Sequence, residues 1–341
     1  MSKYLHFASF SVFLIAFISI FFPTWLTLFD RWGKMDQGYS HGYLVLMIAV
    51  YFVYQQIRLI EVDKVKVNYL FILPLLLCSL LWSLSYHANI EVVQQVLLPI
   101  MLALFFIVLL GIQSGQKFLF PVLILLFAIP FWDYLVPYLQ NITVFVNAVL
   151  LDAAGIPAYI EGVTVMIPAG VFEIAGGCSG LRYLVTALTL AVLFIYLNYT
   201  RWITGFILLV TAVFFALLAN WLRVFIVIVV GHETDMQSEL IKDYDTLGSI
   251  LFALTLIPFF YLANGYSVWF GDKGPERKLP TGQLPPYKVM PYIIVSLATF
   301  ILPLAISSPG NEDNIDNVLP VFTADHFHEA KQLVHPVFHG A

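Results

Sequence analysis

Long apolar runs constrain this chain more than any other feature of its sequence. About nine runs of roughly 17–25 mostly apolar residues occur, each long enough to cross a hydrocarbon layer about 30 Å thick as a helix. Of the 341 residues, 60% are hydrophobic and 11% are charged, and the mean hydropathy is +0.88. The sequence therefore predicts an all-α polytopic membrane protein and excludes an ordinary water-soluble domain. The predicted spans are Tyr4–Phe22, Tyr43–Leu59, Tyr69–Tyr86, Val92–Leu110, Phe118–Leu135, Leu181–Tyr199, Trp202–Val230, Leu247–Ala263 and Val289–Ile306.

The basic residues distinguish the two sides of such a membrane protein. With a cytoplasmic N-terminus, nine spans put ten basic residues on one side and four on the other, with Arg182 and Arg223 left at the membrane boundary. Because cytoplasmic loops carry the excess of Lys and Arg, residues 136–180 and the tail after Ser307 are predicted to face outward. The ten are Lys3, Arg58, Lys64, Lys66, Lys117, Arg201, Lys273, Arg277, Lys278 and Lys288, and the four are Arg31, Lys34, Lys242 and Lys331.

The first run is predicted to be a retained helix, because Phe21-Phe22-Pro23-Thr24-Trp25 after it lacks the small residues of a signal-peptide cleavage site. Two cysteines do not make a disulfide framework in so long a chain. Cys78 lies among leucines in the middle of a predicted span and is interpreted as a packing residue. Cys178 lies at a membrane boundary, on the predicted outer side.

The predicted outer loop contains two structured parts. Gln140–Leu151 has apolar residues at helical spacing without a basic face, so we expect a helix that packs on the protein rather than on lipid headgroups. Gly155–Glu173 is rich in β-branched residues between Gly and Pro, which predicts two short strands in a small hairpin-like cap. The cap could be a lid, an edge that accepts an extended peptide, or a structural plug, and the sequence favours none of these.

Cys178 lies in a glycine-rich segment, Gly176-Gly177-Cys178-Ser179-Gly180, just before the apolar run that begins at about Leu181. The free N–H groups and the positive dipole end of a helix N-terminus, together with Arg182 one turn later, would stabilise a thiolate. A nucleophilic cysteine is therefore chemically plausible. The alternative is that Cys178 is a small apolar residue in a helix-packing patch.

Two further polar groups lie at or inside predicted spans. Arg223 follows Asn220 well inside an apolar run, and a charged residue there usually faces the protein interior and has a function. The alternative is an arginine that reaches the headgroups from a tilted helix. His41, just before a span, could be a functional polar group at the outer interface, but an interfacial anchor or a hydrogen-bonded cap is the favoured interpretation.

The acidic and histidine residues do not predict a metal site. Glu233, Asp235, Glu239, Asp243 and Asp245 follow His232 without the spacing of metal ligands, and a solvated acidic loop is the better interpretation. Four histidines after Ser307 also lack a ligand pattern. No metal, cofactor or nucleic-acid partner is expected.

The sequence resembles the exosortase/archaeosortase family over most of the membrane domain, from roughly Gly38 to Phe252. The segments that carry the resemblance are Tyr39-Ser40-His41-Gly42, Gly155-Ile156-Pro157, Pro168-Ala169-Gly170, Gly177-Cys178-Ser179-Gly180-Leu181-Arg182-Tyr183-Leu184, Asn220-Trp221-Leu222-Arg223 and Gly231-His232. It implies a bacterial inner-membrane cysteine transpeptidase whose active site faces the periplasm. The expected partners are the bilayer and exported proteins with a PEP-CTERM-type C-terminal sorting signal and helix, in systems associated with exopolysaccharide production. Cys178 matches the family's nucleophile, and Arg223 matches its arginine. The resemblance implies an exosortase-like membrane domain at residues 1–307 and an extracytoplasmic tail at residues 308–341.

One position departs from the family pattern. Tyr244 stands where the family's catalytic histidine is expected, four residues before Gly248. Tyrosine has an unperturbed pKa of about 10 and is a poor general base at neutral pH, although its hydroxyl can donate a proton. His232 could substitute only if the chain bent back, because nine helical residues span roughly 13 Å. Three possibilities follow: an active enzyme that uses His232 or Tyr244, a Cys–Arg enzyme that needs no histidine, or an inactive relative that still binds sorting helices.

A protein of another class is the rival hypothesis. A scaffold for surface-polymer assembly would not need Cys178. A small-solute permease should show internal repeats and broken helices, and the sequence has no evident repeat.

Overall fold

The computed structural model describes residues 17–34, 38–59 and 68–272. Most of the first predicted span, all of the ninth (Val289–Ile306) and the tail at residues 308–341 lie outside the described residues. The α-helices are α1 Phe22–Gly33, α2 Gly42–Arg58, α3 Ile72–His87, α4 Glu91–Gly115, α5 Leu119–Leu123, α6 Val136–Ala153, α7 Leu181–Asn198, α8 Trp202–Glu233, α9 Glu239–Lys242 and α10 Tyr244–Trp269. Short 3₁₀ segments cover Tyr69–Phe71, Gln116–Phe118, Ile124–Ala128, Pro130–Leu135 and Gly176–Cys178, and the strands are β1 Tyr159–Glu161, β2 Thr164–Ile167 and β3 Gly170–Glu173.

Six helical stretches of the described residues are long and apolar enough to cross a membrane. The predicted class, a polytopic helical membrane protein with a small β element, is thereby confirmed, whereas the count of nine is not. One stretch, Glu91–Ala128, contains the fourth predicted span and most of the fifth, whose last residues lie in the next stretch. The six are Tyr69–His87, Glu91–Ala128, Pro130–Ala153, Leu181–Asn198, Trp202–Glu233 and Tyr244–Tyr266.

A reversal at Gly111 divides the Glu91–Ala128 stretch into two arms. Gly111 has φ +74°, which only glycine adopts without strain. Beyond it the chain folds back on α4, so that the Phe118 ring stacks on Phe106 with centroids 4.2 Å apart. Further along, Ile124 and Leu98 lie in one buried cluster. The two apolar runs are therefore a helical hairpin.

The first predicted span was expected to end at Phe22, before Pro23. The described end of this span, residues 17–20, is helical, but after a turn at Phe21 a further helix, α1, begins at Phe22 and continues to Gly33, because proline in a first turn costs no helical hydrogen bond. Trp32, near its end, is 2% exposed and donates its indole N–H to the Ala128 carbonyl at 2.7 Å. This bond ties α1 to the returning arm of the hairpin.

The cap has three strands where the sequence predicted two. β2 pairs antiparallel with β1 and with β3, and the second turn is tight because Ile167 lies opposite Gly170 across Pro168-Ala169. Val165 and Ile167 face inward and are buried. They pack with Leu151 of α6 and Ile228 of α8. The sheet therefore sits on the last turns of these two helices.

α8 is the longest helix of the described residues and organises the second half of the chain. Its 32 residues extend about 48 Å, more than a hydrocarbon layer requires. It packs along α7 and α10, and its C-terminal half also packs on α6. The predicted helix over Gln140–Leu151 is present within α6, and its Thr143, Asn147 and Leu151 are buried against protein. Its other face exposes Phe145 and Val149, and the stretch Pro130–Ala153, whose part from Val136 the sequence placed in an outer loop, is long and apolar enough to cross a membrane.

Asp272 closes the turn between α7 and α8, at the end of the bundle away from the small sheet. Its carboxylate accepts the backbone N–H groups of Thr200 and Arg201 and the Thr200 hydroxyl, at 2.7 to 3.2 Å. This contact joins the end of α10 to the start of α8. The segments around Cys178 lie at the other end of the same three helices.

Two glycines flanking the loop between α1 and α2 give a matched test of this packing. A Cβ on Gly42 would lie 2.5 Å from the buried Trp32 ring, whereas one on Gly33 would meet only the Tyr43 hydroxyl, at 3.7 Å. Gly42→Ala should therefore destabilise the protein by about 1–3 kcal/mol through overpacking, and Gly33→Ala should not. Thermal unfolding in detergent measures both. Equal melting temperatures for the two variants would contradict the packing described for Trp32.

Candidate active site

Cys178 ends a 3₁₀ turn three residues before α7 begins. Its N–H donates to the Ala175 carbonyl at 2.8 Å, and its side chain is partly exposed. Gly180 follows with φ +89°, and a Cβ there would lie 2.9 Å from the Asn220 side chain. Glycine is thus required for the approach of this segment to α8. The cysteine lies before a helix N-terminus, as the sequence predicts.

Asn220 of α8 holds the cysteine segment in place. It is fully buried, and its Nδ2 donates to the Cys178 carbonyl at 2.8 Å and to Thr143 Oγ1 of α6 at 3.3 Å. One amide thereby joins three segments distant in sequence. The backbone of Cys178 is held, while its side chain keeps access to solvent.

Arg223, one turn beyond Asn220, points at the same segment. It is 2% exposed, so it does not reach for lipid headgroups. Its Nη2 donates to the Gly177 carbonyl at 3.2 Å, and its Nη1 donates to the Tyr183 hydroxyl at 2.9 Å. Arg223 and Cys178 are close enough to interact electrostatically. A fixed cation therefore lies beside the thiol.

Tyr183 and Gly248 fix the position of the Arg223 guanidinium. Tyr183 is 2% exposed, stacks on Phe252 with centroids 5.1 Å apart, and lies 5.6 Å from the Arg223 Cζ atom. A Cβ on Gly248 would lie 2.0 Å from the Tyr183 hydroxyl and 2.4 Å from Arg223 Cδ. Only glycine lets α10 approach the arginine this closely.

Asp245 at the start of α10 lies between two arginines. Its Oδ1 is 3.7 Å from Arg223 Nη1 and 4.0 Å from Arg182 Nη1. The carboxylate is 56% exposed, so each of these ion pairs contributes little to stability. It still provides one negative charge near both guanidinium groups.

The structure brings Tyr244, but not His232, to Cys178 and Arg223. The Tyr244 ring centroid lies 5.5 Å from Arg223 Cζ, and Tyr244 interacts electrostatically with Cys178. His232 lies in the last turn of α8, which continues unbroken from Arg223, and so is about 13 Å further along the axis. Its Nδ1 atom is buried and lacks a hydrogen-bond partner among the described residues.

A cavity of about 450 Å³ adjoins the residues before Cys178, and we call it the Arg182 cavity. Gly176, Gly177 and Arg182 form one part of its lining, and Tyr39 and Asp133 form another. Tyr39 donates its hydroxyl to Asp133 Oδ1 at 2.9 Å. Burial first, and the Asp133 charge second, raise the pKa of Tyr39, so this hydroxyl keeps its proton. The cavity thus joins residues from both halves of the chain.

Sequence reasoning missed Tyr39, Asp133, Tyr183 and Asp245 as parts of this site. Tyr39 was available in the Tyr39-Ser40-His41-Gly42 segment, but the sequence has no signal that this segment packs against Arg182. In the structure Gly38, with φ +78°, packs against Arg182, and a Cβ added to Gly38 would lie 3.5 Å from the Arg182 side chain.

His41, in the same segment, has its Nε2 3.0 Å from the Phe127 carbonyl oxygen, and burial lowers its pKa. This contact fits the interpretation of His41 as a hydrogen-bonded anchor. In the described part of the chain no group of three or more His, Cys, Asp or Glu residues could hold a metal ion.

The close approach of Gly248 to Arg223 predicts that a larger residue at position 248 lowers the reactivity of the Cys178 thiol. In a Cys78→Ala background, Gly248→Ala should displace Arg223 and slow the alkylation of Cys178 by iodoacetamide about ten-fold, because the thiolate loses its cation. The rate is measured by mass spectrometry at pH 7. Gly265→Ala in the same helix is the control, since its Cβ would meet only the outer ring atoms of Trp269, at 3.3 Å. Unchanged reactivity in Gly248→Ala would contradict a role for Arg223 in stabilising the thiolate.

No curated protein and no solved structure matches the chain. The sequence model of the transmembrane exosortases matches residues 32–261, which is more than half of the 341 residues and includes Cys178, Arg223 and Tyr244. The chain belongs to the transmembrane exosortase family.

Proposed function

We propose that this protein is a membrane-embedded cysteine transpeptidase that cleaves C-terminal sorting signals of exported proteins. The substrates are proteins with a PEP-CTERM-type signal, in which a short motif precedes a transmembrane helix and a basic end. The proposed setting is the bacterial inner membrane, in a system for exopolysaccharide production. The observation that carries the proposal is the contact of the buried Arg223 guanidinium with the Cys178 segment.

The proposed orientation puts this site at the periplasmic face. Three basic residues lie at one end of the helices: Arg58 where α2 ends, Lys117 where the α4 hairpin turns, and Arg201 where α8 begins. Asp272 marks the same end as Arg201, and the Cys178 segment lies at the opposite end of α7 and α8. Three basic residues of the described part, Arg31, Lys34 and Lys242, lie at the Cys178 end, so the excess is evident only in the sequence count of ten basic residues against four. Because basic residues favour the cytoplasmic side, that count supports an outward-facing thiol.

The first step proposed is acylation of the cysteine. The Cys178 thiolate, stabilised by Arg223, attacks the scissile carbonyl carbon and forms a C–S bond. The oxygen of the tetrahedral intermediate becomes an oxyanion, which the Arg223 guanidinium can stabilise. Collapse of the intermediate breaks the C–N bond and leaves a thioester on Cys178.

Tyr244 supplies the proton that the leaving amine needs. Its hydroxyl donates to the departing nitrogen, which releases the helical end of the signal as a neutral amine. An acceptor nucleophile then attacks the thioester, passes its proton to the Tyr244 phenolate and carries the product away. The proposed cycle begins with a Cys178 thiolate and ends with one, so the role it needs at residue 244 is that of a proton donor.

The second candidate function is a catalytically inactive exosortase that binds sorting helices without cutting them. The observation that favours it is the identity of residue 244. A tyrosine hydroxyl occupies the position beside the Cys–Arg pair where the family pattern has a histidine. In that case the site would hold the signal, and Cys178 would be dispensable for binding.

Substitutions of the Cys–Arg pair test the enzyme. A co-expressed test protein with a PEP-type signal should lose its signal with the native chain and remain uncut with Cys178→Ala. Arg223→Lys should slow processing by about 100-fold or more, because lysine cannot reproduce the paired guanidinium contacts. Processing is measured by the mass shift of the substrate on immunoblots.

Two variants serve as matched controls for these substitutions. Cys78→Ala removes the other cysteine, which lies in α3, and Arg201→Lys changes an arginine at the far end of α8. Both should process normally. If Cys178→Ala processes the substrate fully, the protein is not a cysteine peptidase, and the non-enzymatic scaffold becomes the better hypothesis.

Substitutions at residue 244 separate the two candidate functions. Tyr244→Phe should reduce processing by about 100-fold through loss of the proton donor, and Tyr244→His should remain active. Tyr261→Phe, at an exposed position of the same helix, is the control. A native chain that cuts nothing, together with a Tyr244→His variant that cuts, would establish the inactive relative instead. If His232→Ala loses processing while Tyr244→Phe processes normally, the proton-donor role belongs to His232 instead of Tyr244.

A further inference from the structure

Strand β3 of the cap has a free edge. Within the described residues the sheet order is β1-β2-β3, so β2 pairs on both sides and β3 on one side. The Ile174 N–H donates to the Val163 carbonyl at 2.9 Å, just beyond the paired strands. Because ladder bonds alternate along an antiparallel pair, Phe172 bonds to β2, whereas the N–H and C=O groups of Val171 and Glu173 point to the free edge. These backbone groups can therefore pair with a further strand.

The N–H groups at this edge are accessible. Val171 is 41% exposed, Glu173 is also exposed, and no hydrogen bond from another described residue reaches either N–H. The Glu173 carbonyl accepts the Ala175 N–H at 3.0 Å and keeps a second lone pair. The edge of β1 offers less, because by the same alternation only Ile160 of its three residues points outward. The β3 edge is therefore the better template for strand addition.

β3 is held against the helix that supplies the arginine of the site. A Cβ on Gly231 of α8 would lie 2.4 Å from the Phe172 ring, and one on Gly170 of β3 would lie 3.0 Å from Met236, just after α8. The two glycines thus bring β3 into direct contact with the end of α8. Because Arg223 lies on the same helix, the edge and the guanidinium are held in one fixed geometry, which lowers the cost of binding.

The same strand leads directly to Cys178. Five positions separate Glu173 from Cys178, a distance of at most roughly 17 Å. The first residue of this connection is fixed, because Gln140 Nε2 of α6 donates to the Ile174 carbonyl at 2.8 Å. A Cβ on Gly177 would meet no atom within 4 Å, so the backbone beside the cysteine borders open space. A polypeptide lying along β3 would reach the thiol within about five further residues.

We propose that the free edge of β3 binds, by strand addition, the extended residues that precede the scissile bond of the polypeptide that acylates Cys178. The identity of this ligand rests on the proposed function, whereas the free edge and its connection to Cys178 do not. Because the helix of the signal follows the scissile bond into the membrane, the residues before that bond approach from the cap and run parallel to β3. Main-chain hydrogen bonds then align the scissile carbonyl with the thiol. The cap is thereby a docking edge rather than a plug.

Photocrosslinking tests this contact without catalysis. The full chain with Cys178→Ala carries the photoreactive residue p-benzoylphenylalanine in place of Val171 and is co-expressed with a test protein that has a PEP-type signal. The yield of crosslinked product on immunoblots should be about five-fold higher at position 171 than at position 159, as expected for loss of one contact of ordinary strength. Tyr159 is the matched control, because it is 57% exposed and lies on the same face of the sheet, across β2 and about 10 Å away.

The outcomes separate this proposal from the proposed function. A yield at position 171 no higher than at position 159 overturns the strand addition. If the native chain still cuts the test protein, the peptidase stands without it. If the native chain cuts nothing, the enzyme proposal fails, and the crosslink alone decides whether the β3 edge binds a sorting signal.

Proline in the substrate tests the hydrogen bonds themselves. Proline and, separately, alanine are placed in turn at each residue ahead of the signal's helix, and the native chain processes each form. Because proline lacks the N–H, processing should fall about five-fold at positions two residues apart, the spacing of Val171 and Glu173, while alanine has little effect there. An effect of proline that does not alternate, or none, contradicts pairing with β3.

One substitution in the strand tests the edge from the side of the enzyme. In a Cys78→Ala background, Val171→Pro removes an N–H that points away from β2, a position where edge strands accept proline. Processing should slow about five-fold, whereas Val171→Ala, which keeps the N–H, should process at nearly the native rate. An unchanged rate of Cys178 alkylation by iodoacetamide shows that the site is intact in both variants. Equal processing by the two variants overturns the role of this N–H, and if alkylation is altered in Val171→Pro, the substrate series decides.

Discussion

The buried guanidinium of Arg223 is the constraint on which the rest of the site depends. A cation in an apolar helix bundle is costly unless its donors are satisfied and its charge is compensated. Here α7 contributes the Tyr183 hydroxyl, the segment before α7 contributes the Gly177 carbonyl, and α10 contributes the carboxylate of Asp245. The contacts that satisfy the arginine also hold it beside Cys178. Stability and chemistry therefore depend on the same hydrogen bonds.

Close approach of the backbone makes this arrangement possible. Gly180 lets the cysteine segment reach Asn220, and Gly248 lets α10 reach Arg223 and Tyr183. In an apolar bundle, small residues at helix contacts allow the backbones to pack closely. α8 is longer than the hydrocarbon layer is thick, and α6 and the small sheet pack against its last turns. The cap is thereby attached to the same helix that supplies the arginine.

Much of the fold could be predicted from the sequence, because apolar run length is a local property. The runs that became α3, α7 and α8 were placed to within about three residues at each end, and the run that became α10 to within about six. The count of nine spans was not confirmed, because most of the first predicted span and all of the ninth lie outside the described residues. The break between the fourth and fifth spans was predicted, and the structure has the Gly111 reversal there. The third strand was missed because a four-residue strand carries little periodic signal.

The sequence by itself determined that this chain is a helical membrane protein, that Cys178 precedes a helix and that Arg223 is an unusual charge within an apolar run. Only the tertiary structure decided which groups meet. It put Tyr244 rather than His232 beside the Cys–Arg pair, because α8 runs unbroken past Arg223 while the start of α10 lies next to it. It also brought Tyr39 and Asp133 to the cavity beside Arg182. These contacts join residues about 20 to 140 positions apart in the chain, and no local pattern encodes a pairing at that separation, since it arises from how the helices pack.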